Sequence, residues 1–555
     1  MNLPAVIANS LWLVSNWPAL RRYRRALQSP AETQAGLLCD YLARNADTAF
    51  GWTHKFGEIR CYEDFARRVP LNDYDDLSPW IERIRSGEER VLTADRVTHL
   101  VPTGGSTGAR KLIPFTGGLQ REFNRAIGPW IADLYGWHSS LAFGPAYWSI
   151  SPAIEIENSE TSAVPVGFDN DSAYLGGARK RLVDAVMAVP GEVRLNLDLD
   201  QFRYVTLLCL LRRPDLRLIS VWHPSFLSLL LDALPGFWEH LLKDIETGAC
   251  RYPKSLPPIV LRALKLRPWP ERARQLSNAG PFEPETIWPD MSVISCWGDG
   301  HAELAKADVE RRFPSAVIQS KGLLATECFV TIPFANSYPL AVTSHFFEFL
   351  DEQGRVHLAH ELKKTGVYEV IVTTGGGLWR YRLRDRVQVT GCLGSTPSLR
   401  FLGRTGNVSD RCGEKLSEQF VARAIQSATA SLPSPPRFAL LAPDENHLAL
   451  AHGYTLFVEG DVPLEIGNRL EQLLCENVHY AWCRKLGQLN PARIFKIENS
   501  GYQTFIARRQ LDGKRIGDIK PCALSADSDW SKYFRGRYVD GKKSNPNTPC
   551  TNSVT

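Results

Sequence analysis

The chain has 555 residues, of which 44% are hydrophobic, 10% aromatic and 23% charged. These proportions are those of ordinary globular proteins, and they exclude a disordered, collagen-like or coiled-coil chain. The 65 lysines and arginines against 60 aspartates and glutamates give a net charge of +5. That excess is too small to indicate a nucleic-acid partner, but it is compatible with a basic pocket for an anionic ligand.

The chain starts with an apolar run, residues 3–20, followed by arginines at positions 21, 22, 24 and 25. A secretory signal carries its positive charge before the apolar stretch, and this run is interrupted and short for a bilayer span. We expect an amphipathic helix that packs on the body, with peripheral membrane contact as the alternative. None of the 12 cysteines forms a CxxC pair, which argues against a structural zinc site. Because no secretory signal is present, we expect reduced thiols and a cytoplasmic location. The interrupted apolar run predicts no stable membrane insertion.

Short apolar runs alternate with helical segments in the middle of the chain. Residues 216–222, 291–297 and 316–320 indicate buried strands, Pro224 suits the first turn of a helix, and a second helix is expected over about 301–312. Strand–helix–strand units predict a largely parallel sheet with helices on its faces. Residues 367–391, with glycines at 375–377, instead predict antiparallel strands.

Gly, Ser, Thr and Pro are concentrated over residues 393–413, which is the composition of a hinge. The pattern beyond it predicts a helix (about 414–431), a strand (437–441), a hairpin (447–459), a helix (464–475) and a strand (492–497). The predicted fold class is therefore α/β: a large N-terminal domain (1–395) with mixed or parallel sheets and flanking helices, a hinge (396–413) and a small C-terminal α+β lid domain (414–539). Residues 540–555 are polar and predicted to be disordered.

The most informative segment is TGGSTGARK, residues 103–111. Its glycines let backbone N–H groups approach an anion, its hydroxyl groups donate hydrogen bonds, and Lys111 adds positive charge, all of which suit phosphate oxygens. A Walker A pattern cannot be placed here. The flanks VTHLV and KLIPFT favour strands, so we expect a strand–loop–strand phosphate loop. The alternative is a flexible surface turn.

This segment resembles the [ST][SG]G[ST][ST]GxxK phosphate loop of the adenylate-forming superfamily. Two later segments, KGLLATE (321–327) and GLWRYRLRD (377–385), resemble the second and third motifs of the auxin-responsive Gretchen Hagen family of acyl acid amido synthetases. The bacterial branch is the closer likeness. The resemblance runs from about residue 30 to 525, and the three motifs in order are more specific than any one alone.

The resemblance implies a role for each matching residue. Glu327 would hold Mg²⁺, which takes oxygen ligands. Asp385 would accept hydrogen bonds from both ribose hydroxyl groups. Lys520 of the lid, with Lys514 as the alternative, would stabilise charge near the α-phosphate. The remaining nucleotide contacts would come from Thr103, Gly104, Gly105, Ser106, Thr107, Gly108, Lys111, Thr326 and the hinge residue Arg404.

Each assignment has a purely structural alternative: a glutamate at a strand end, a surface charge pair around Asp385, a loop arginine at the hinge near Asp410, and a solvated lysine. Three positions also depart from the family pattern. Leu323 stands where the family often has Tyr, Ala325 where it has Ser, and Arg384 where it usually has Gly. We therefore expect the local backbone at Arg384 to differ from that of the family.

The wall of the acyl pocket is expected in residues 119–137, with Phe123, Trp130 and Tyr135 facing the acid. The alternative is a core-facing helix broken at Pro129. Trp297 lies where the superfamily forms its adenine pocket, and a core tryptophan is the alternative.

The implied activity is that of an ATP- and Mg²⁺-dependent ligase that joins a small carboxylic acid to an amine, with an amino acid as the expected amine, through an acyl-adenylate. An acyl-CoA or carrier-protein ligase and a non-catalytic nucleotide-binding protein are the alternatives. We expect a monomer or a weak dimer and no nucleic-acid partner.

Overall fold

The structure is a computed structural model that describes residues 3–103, 111–148, 162–167, 177–195, 199–252, 255–299, 302–404, 408–444, 453–463, 465–486, 488–512, 519 and 521–539. Its contacts divide the chain into two compact units. Unit 1 comprises Met1–Trp222, Leu229–Trp297 and Arg312–Phe401. Unit 2 comprises His223–Ser228, Gly298–Arg311 and Leu402–Thr555.

Unit 1 opens with helices packed around aromatic residues. The first helix buries one face, including Trp12, Leu20 and Tyr23, which confirms the expected helix packed on the body. The last begins where the Asp76 carboxylate accepts a hydrogen bond from Asp73 N at 2.7 Å, half of a capping box. The helices are α1 (Leu3–Ala26), α2 (Pro30–Asn45), α3 (Ala49–Thr53), α4 (Tyr62–Arg68) and α5 (Tyr74–Arg85).

An antiparallel strand pair and a long helix follow. The Thr116 hydroxyl accepts from Leu119 N at 3.1 Å and caps the start of the helix. This helix runs unbroken through Pro129, so the expected break is wrong. Pro129 and its neighbours are buried, and their packing offsets the missing backbone hydrogen bond. The elements are β1 (Val97–Thr103), β2 (Lys111–Thr116) and α6 (Gly117–Trp137).

Four short strands then form a parallel sheet with helices between them in the chain, which confirms the predicted α/β pattern. The strands, in sheet order, are β3 (Ala146–Trp148), β4 (Leu218–Ser220), β5 (Val293–Cys296) and β6 (Val317–Ser320). The helices are α7 (Gly177–Val186), α8 (Leu199–Leu211), α9 (Pro224–Thr247), α10 (Pro258–Leu264), α11 (Pro270–Ala279), α12 (Pro284–Ile287) and α13 (Ala302–Arg312). Helices α9 to α12 each begin at a proline, which needs no hydrogen-bond partner in a first turn.

The second large sheet of unit 1 is built from strands paired in the order β11-β10-β9-β7-β8. Strands β9 and β10 pair antiparallel across the glycine turn at 375–377, as predicted. Residues 396–404 form a strand although their composition predicted a linker; the domain boundaries themselves stay a prediction. The strands are β7 (Phe346–Leu350), β8 (Val356–Leu358), β9 (Val367–Thr373), β10 (Tyr381–Leu393) and β11 (Thr396–Arg404).

Unit 2 contains a separate α+β core. Strands β14 and β15 pair antiparallel, β15 and β16 parallel, and β16 and β17 antiparallel. The predicted hairpin at 447–459 extends outside the described residues, as does the tail, 540–555. The elements are β12 (Val408–Ser409), β13 (Leu416–Ser417), α14 (Glu418–Thr429), β14 (Phe438–Pro443), β15 (Tyr454–Glu459), α15 (Glu465–Leu474), α16 (Val478–Lys485), β16 (Arg493–Ile497), α17 (Gly501–Leu511) and β17 (Gly536–Tyr538).

Ten of the cysteines are free thiols, in agreement with the sequence expectation at those positions. Within the described part of the chain, no helix combines the length and the apolarity that a membrane span requires.

Candidate active site

The glycine-rich segment lies between two paired strands. Thr103 ends β1 and pairs with Lys111, the first residue of β2, so the strands that flank the loop are present as predicted. The loop itself, residues 104–110, lies outside the described residues. At its base, Lys111 Nζ lies 5.4 Å from the centre of the Tyr74 ring, and Leu112 N donates to the Tyr74 hydroxyl at 2.8 Å. Helix α5 therefore holds the end of the loop that carries the lysine.

Thr326 and Glu327 occupy the tip of a tight turn rather than the mouth of a regular strand. Ala325 N donates to Cys328 O at 2.9 Å, and an isolated antiparallel bridge joins Leu324 to Phe329. Residues 328–334 take part in isolated bridges rather than in a regular strand.

Glu327 is a buried carboxylate with no hydrogen-bond donor or cation in contact with it among the described residues. Its exposed fraction is 5%. Because an unpaired charge is costly to remove from water, such a group is normally satisfied by a partner. The described part of unit 1 contains no such partner for Glu327. Its carboxylate is therefore suited to bind a cation.

The third motif segment is fixed by a glycine turn that admits no side chains. A Cβ at Gly375 would lie 2.4 Å from Glu122 Oε1, one at Gly376 would lie 2.8 Å from Pro114 O, and Gly377 has a φ of +95°. After the turn, Arg380 is buried and bonds to Glu348 at 2.8 Å. The Glu348 carboxylate also accepts a hydrogen bond from the Tyr62 hydroxyl, and the Arg380–Glu348 pair anchors the start of β10.

Arg384 adopts the left-handed conformation that the family's glycine would favour. Its φ is +64°, and the register of β9 and β10 shifts between Arg382 and Arg386. The expectation that the backbone here differs from that of the family stays a prediction. The guanidinium instead forms a two-point ion pair with Asp73, through contacts of 3.1 and 2.6 Å. That ion pair helps to hold the unusual conformation, and the bulge sets the direction of the next residue, Asp385.

Asp385 is buried within unit 1. Burial is the main cause that raises the pKa of the Cys328 thiol well above its ordinary value, and the carboxylates of Glu327, Asp385 and Glu122 raise it further. Charges from three chain segments therefore act on one thiol, and the acidic residues of the second and third motifs are among them.

Glu122, on α6, is the centre of a buried network that sequence reasoning missed. Its carboxylate accepts from Tyr41 Oη at 2.6 Å, from Gly375 N at 2.9 Å and from His345 Nδ1 at 2.9 Å. Phe329 N donates to the other ring nitrogen of His345 at 3.3 Å. The only sequence signal was an acid inside an otherwise core-facing helix.

Lys321 was also missed, although it opens the second motif. It is buried, its ammonium donates to Ser220 Oγ at 2.9 Å, and it lies 5.0 Å from the centre of the Trp222 ring and 5.9 Å from that of Trp130. Ser220 ends β4, and Lys321 follows the end of β6. Carboxyl ends of parallel strands are where α/β proteins usually bind ligands.

The remaining expected site residues have mixed outcomes. Phe123, Trp130 and Tyr135 are all buried in the core of unit 1, as the core-helix alternative proposed, and the Trp130 ring also lies 5.9 Å from Lys321 Nζ. Trp297 packs edge-on against Phe401 at 5.4 Å. Arg404 ends β11 and belongs to unit 2. Lys514 and Lys520 lie outside the described residues.

Together these features define an α/β protein in which a tight turn carries Glu327 and strand β10 carries Asp385. The sequence model of the GH3 family N-terminal domain matches residues 19–316, more than half of the chain. Those of the central and C-terminal domains match residues 338–404 and 419–529. The chain belongs to the GH3 family, which confirms the resemblance drawn from its motifs.

Curated relatives and a solved structure agree with this membership. Indole-3-acetic acid-amido synthetase GH3.2 of Arabidopsis thaliana is 25% identical over 460 residues, which cover 74% of this chain and 80% of the relative. Probable indole-3-acetic acid-amido synthetase GH3.11 of Oryza sativa subsp. japonica is 24% identical, over 90% and 93%. The acyl acid amido synthetase AtGH3.15, in complex with 2,4-DB, superposes with a TM-score of 0.81 at 20% identity, over 93% of this chain and 95% of that one. At that identity the superposition shows the shared fold.

Proposed function

We propose that the protein is an acyl acid amido synthetase: it uses ATP to activate a small carboxylic acid and then transfers the acyl group to an amine, an amino acid by preference. The single observation that carries this proposal is the Glu327 carboxylate, buried and without a partner in the described part of unit 1. Family membership supplies the reaction class, since the relatives are named as acid-amido synthetases.

Glu327 suits a magnesium ligand. Mg²⁺ takes oxygen ligands and usually only one or two protein carboxylates, the rest being water and substrate phosphate. Bound there, Mg²⁺ would supply positive charge to the triphosphate. Thr326, on the same turn, would contact the phosphate that becomes AMP, as the family resemblance implies.

In the first half-reaction an oxygen of the acid attacks the α-phosphorus of ATP, the bond to the β-phosphate breaks, and pyrophosphate leaves. The protein's work is positioning and charge stabilisation rather than covalent chemistry. Lys111 would neutralise the phosphates at the base of the glycine loop, with Thr103, Gly104, Gly105, Ser106, Thr107 and Gly108 donating hydrogen bonds. Asp385 would accept both ribose hydroxyl groups, because an ionised carboxylate is an acceptor only.

The acid is best accommodated near Lys321. Trp130 and Trp222 offer aromatic surface, and the lysine between them offers a cation to a carboxylate. This arrangement favours an acid with an aromatic or other flat apolar body. Arg404 of the hinge and Lys520 of the lid, or Lys514, complete the proposed set through the family resemblance.

In the second half-reaction the amine nitrogen attacks the acyl carbon, the bond to the AMP oxygen breaks, and the amide and AMP are released. A thioester-forming ligase shares the first step and differs only in its acceptor, and a non-catalytic nucleotide-binding protein would perform neither. The family's named activity favours the amine.

The test is incubation with ATP, Mg²⁺ and a panel of small aromatic and aliphatic acids, followed by measurement of pyrophosphate. Acid-dependent release is expected; its absence across the panel would remove both ligase interpretations and leave the binding protein. Adding amino acids or coenzyme A in parallel, with mass spectrometry of the products, then separates amide from thioester.

A further inference from the structure

Helix α1 has one face that is firmly attached to the body of unit 1. Asn9 lies on that face, and its amide nitrogen donates to the carbonyl oxygens of Leu141, Ala142 and Gly144 at 3.2–3.3 Å. Tyr23, further along the same face, donates to Leu340 O at 2.9 Å. These buried hydrogen bonds fix the rotation of the helix about its axis, so its opposite face is held outward.

The outward face is apolar over four turns. Its large side chains recur every three or four residues, the spacing of a single helical stripe. At 1.5 Å per residue the stripe is about 21 Å long. Continuous exposed apolar surface of this kind marks an interaction site. The stripe consists of Leu3 (60% exposed), Ile7 (53%), Leu11 (53%), Val14 (66%) and Trp17 (55%).

The same stripe continues as positive charge. Arg21 and Arg25 follow Trp17 at intervals of four residues, and Arg22 and Arg24 flank them; all four are exposed, and none forms an ion pair with the described residues. The Arg21 guanidinium lies 5.6 Å from the centre of the Trp17 ring. A favourable interaction with the helix C-terminus would explain basic residues there, but not the apolar stripe before them.

We propose that the outward face of α1 docks on the surface of an anionic lipid bilayer, with the apolar stripe in the headgroup region and the arginines on lipid phosphates. An apolar face, an interfacial tryptophan and clustered arginines are the combination that binds such surfaces. The groove beside the stripe also contains the carboxylates of Glu32 and Asp40. The four arginines and these two carboxylates together carry a net charge of +2, four minus two. The helix lies on the bilayer rather than crossing it, in agreement with the lack of a suitable span among the described residues.

A second copy of the chain fits this face less well. If two copies packed their stripes in parallel, the arginines of one copy would face those of the other. If the stripes packed antiparallel, the arginines of each copy would be buried against the leucine and isoleucine side chains of the other, which costs free energy. The stripe also precedes residue 19, where the match to the GH3 family begins. The proposal therefore concerns this chain and is independent of the proposed reaction.

The experiment is flotation of the full chain with vesicles of phosphatidylcholine, alone or mixed in equal parts with phosphatidylglycerol. The chain is expected to float with the mixed vesicles only. Trp17→Ser should weaken binding about tenfold, and Arg21→Gln with Arg25→Gln about fivefold for each arginine. Matched controls are Trp52→Ser, whose tryptophan is 72% exposed, and Arg274→Gln, an exposed arginine of α11; both should bind as the native chain does.

Three results would overturn the proposal: no flotation of the native chain, equal binding to neutral vesicles, or equal losses in the stripe variants and the controls. Sedimentation of the same proteins without lipid tests whether a second copy of the chain covers the stripe instead. A dimer that Trp17→Ser dissociates, with no vesicle binding, would assign the stripe to a second copy and refute the lipid surface. Circular dichroism of each variant checks that the exposed substitutions leave the fold intact.

Discussion

His345 donates a hydrogen bond from Nδ1 to the Glu122 carboxylate at 2.9 Å while its Nε2 accepts from Phe329 N. The first contact requires a proton on Nδ1 and the second requires a bare Nε2, so the network assigns one neutral tautomer. Because Phe329 stands two residues after Glu327, and Gly375 N also donates to Glu122, one buried carboxylate links α6 to the turns of the second and third motifs.

Replacing Glu122 with Gln should lower the catalytic constant for acid-dependent pyrophosphate release at least tenfold, because an amide cannot accept all three hydrogen bonds and the two turns lose their common anchor. Glu122 touches no substrate and acts as a positioning residue. The control is Tyr41→Phe, which removes a single donor and should cost about 1 kcal/mol of unfolding free energy with most activity kept. Equal effects of the two variants on activity would argue against the positioning role.

Glu327→Gln should lower the rate of pyrophosphate release roughly a hundredfold or more and leave the fold intact. The neutral amide is a weaker metal ligand than the carboxylate, and the metal stabilises the charge that develops on the phosphates. Glu327→Asp keeps the charge on a shorter arm, so it should keep partial activity that rises with added Mg²⁺. Titration of Mg²⁺ against the rate for each protein measures this. Full activity of Glu327→Gln at ordinary Mg²⁺ would show that the metal assignment is wrong.

Lys321→Met should raise KM for the acid about tenfold and leave KM for ATP nearly unchanged, because methionine keeps the packing between the indole rings but not the cation. Steady-state kinetics with each substrate varied in turn gives the comparison. A parallel rise in both values would place Lys321 outside the acid subsite.

Arg384→Gly should unfold at a higher temperature than Arg384→Ala. Both lose the half-exposed ion pair with Asp73, which contributes about 0–1 kcal/mol. The left-handed backbone conformation costs alanine about 1 kcal/mol, whereas glycine adopts it without that cost. Thermal unfolding of the two variants measures the difference, and an alanine variant that is the more stable would contradict the backbone argument.

Alkylation of the native protein should distinguish its thiols. Cys39, Cys61 and Cys392 are exposed and should react with iodoacetamide. Cys209 should not, since burial raises its pKa to about 12, and Cys328 should not, since burial and three carboxylates raise its pKa. Peptide mass mapping after brief exposure reads out each site, and early labelling of Cys328 would mean that the acidic site opens readily.

The sequence predicted those parts of the molecule that follow from local pattern. A few neighbouring residues are enough to recognise the apolar runs of β4, β5 and β6 and the proline at the start of α9. The same holds for the motifs that carry Lys111, Glu327 and Asp385. Contacts between distant segments were not predictable in this way. Glu122 and His345 are 223 positions apart, and nothing near either one indicates the other.

Local rules also gave wrong answers where packing decides. A proline is expected to break a helix, yet α6 continues through Pro129 because both sides of that turn are buried. A turn-rich composition at 396–404 became strand β11 because β10 offers it a partner for its backbone groups. Arg384 has a left-handed backbone conformation while its side chain pairs with Asp73, 311 positions away, a contact that no local pattern indicates.

The most direct test of the proposed activity follows the oxygen of the acid. With an accepted acid labelled with oxygen-18 in its carboxylate, attack on the α-phosphorus must leave one labelled oxygen in the AMP released when the amide forms. Mass spectrometry of AMP from a complete reaction with ATP and an amino acid should therefore show AMP that carries one heavy oxygen for each amide made. Unlabelled AMP alongside the amide, with the label in inorganic phosphate or water, would contradict an acyl-adenylate.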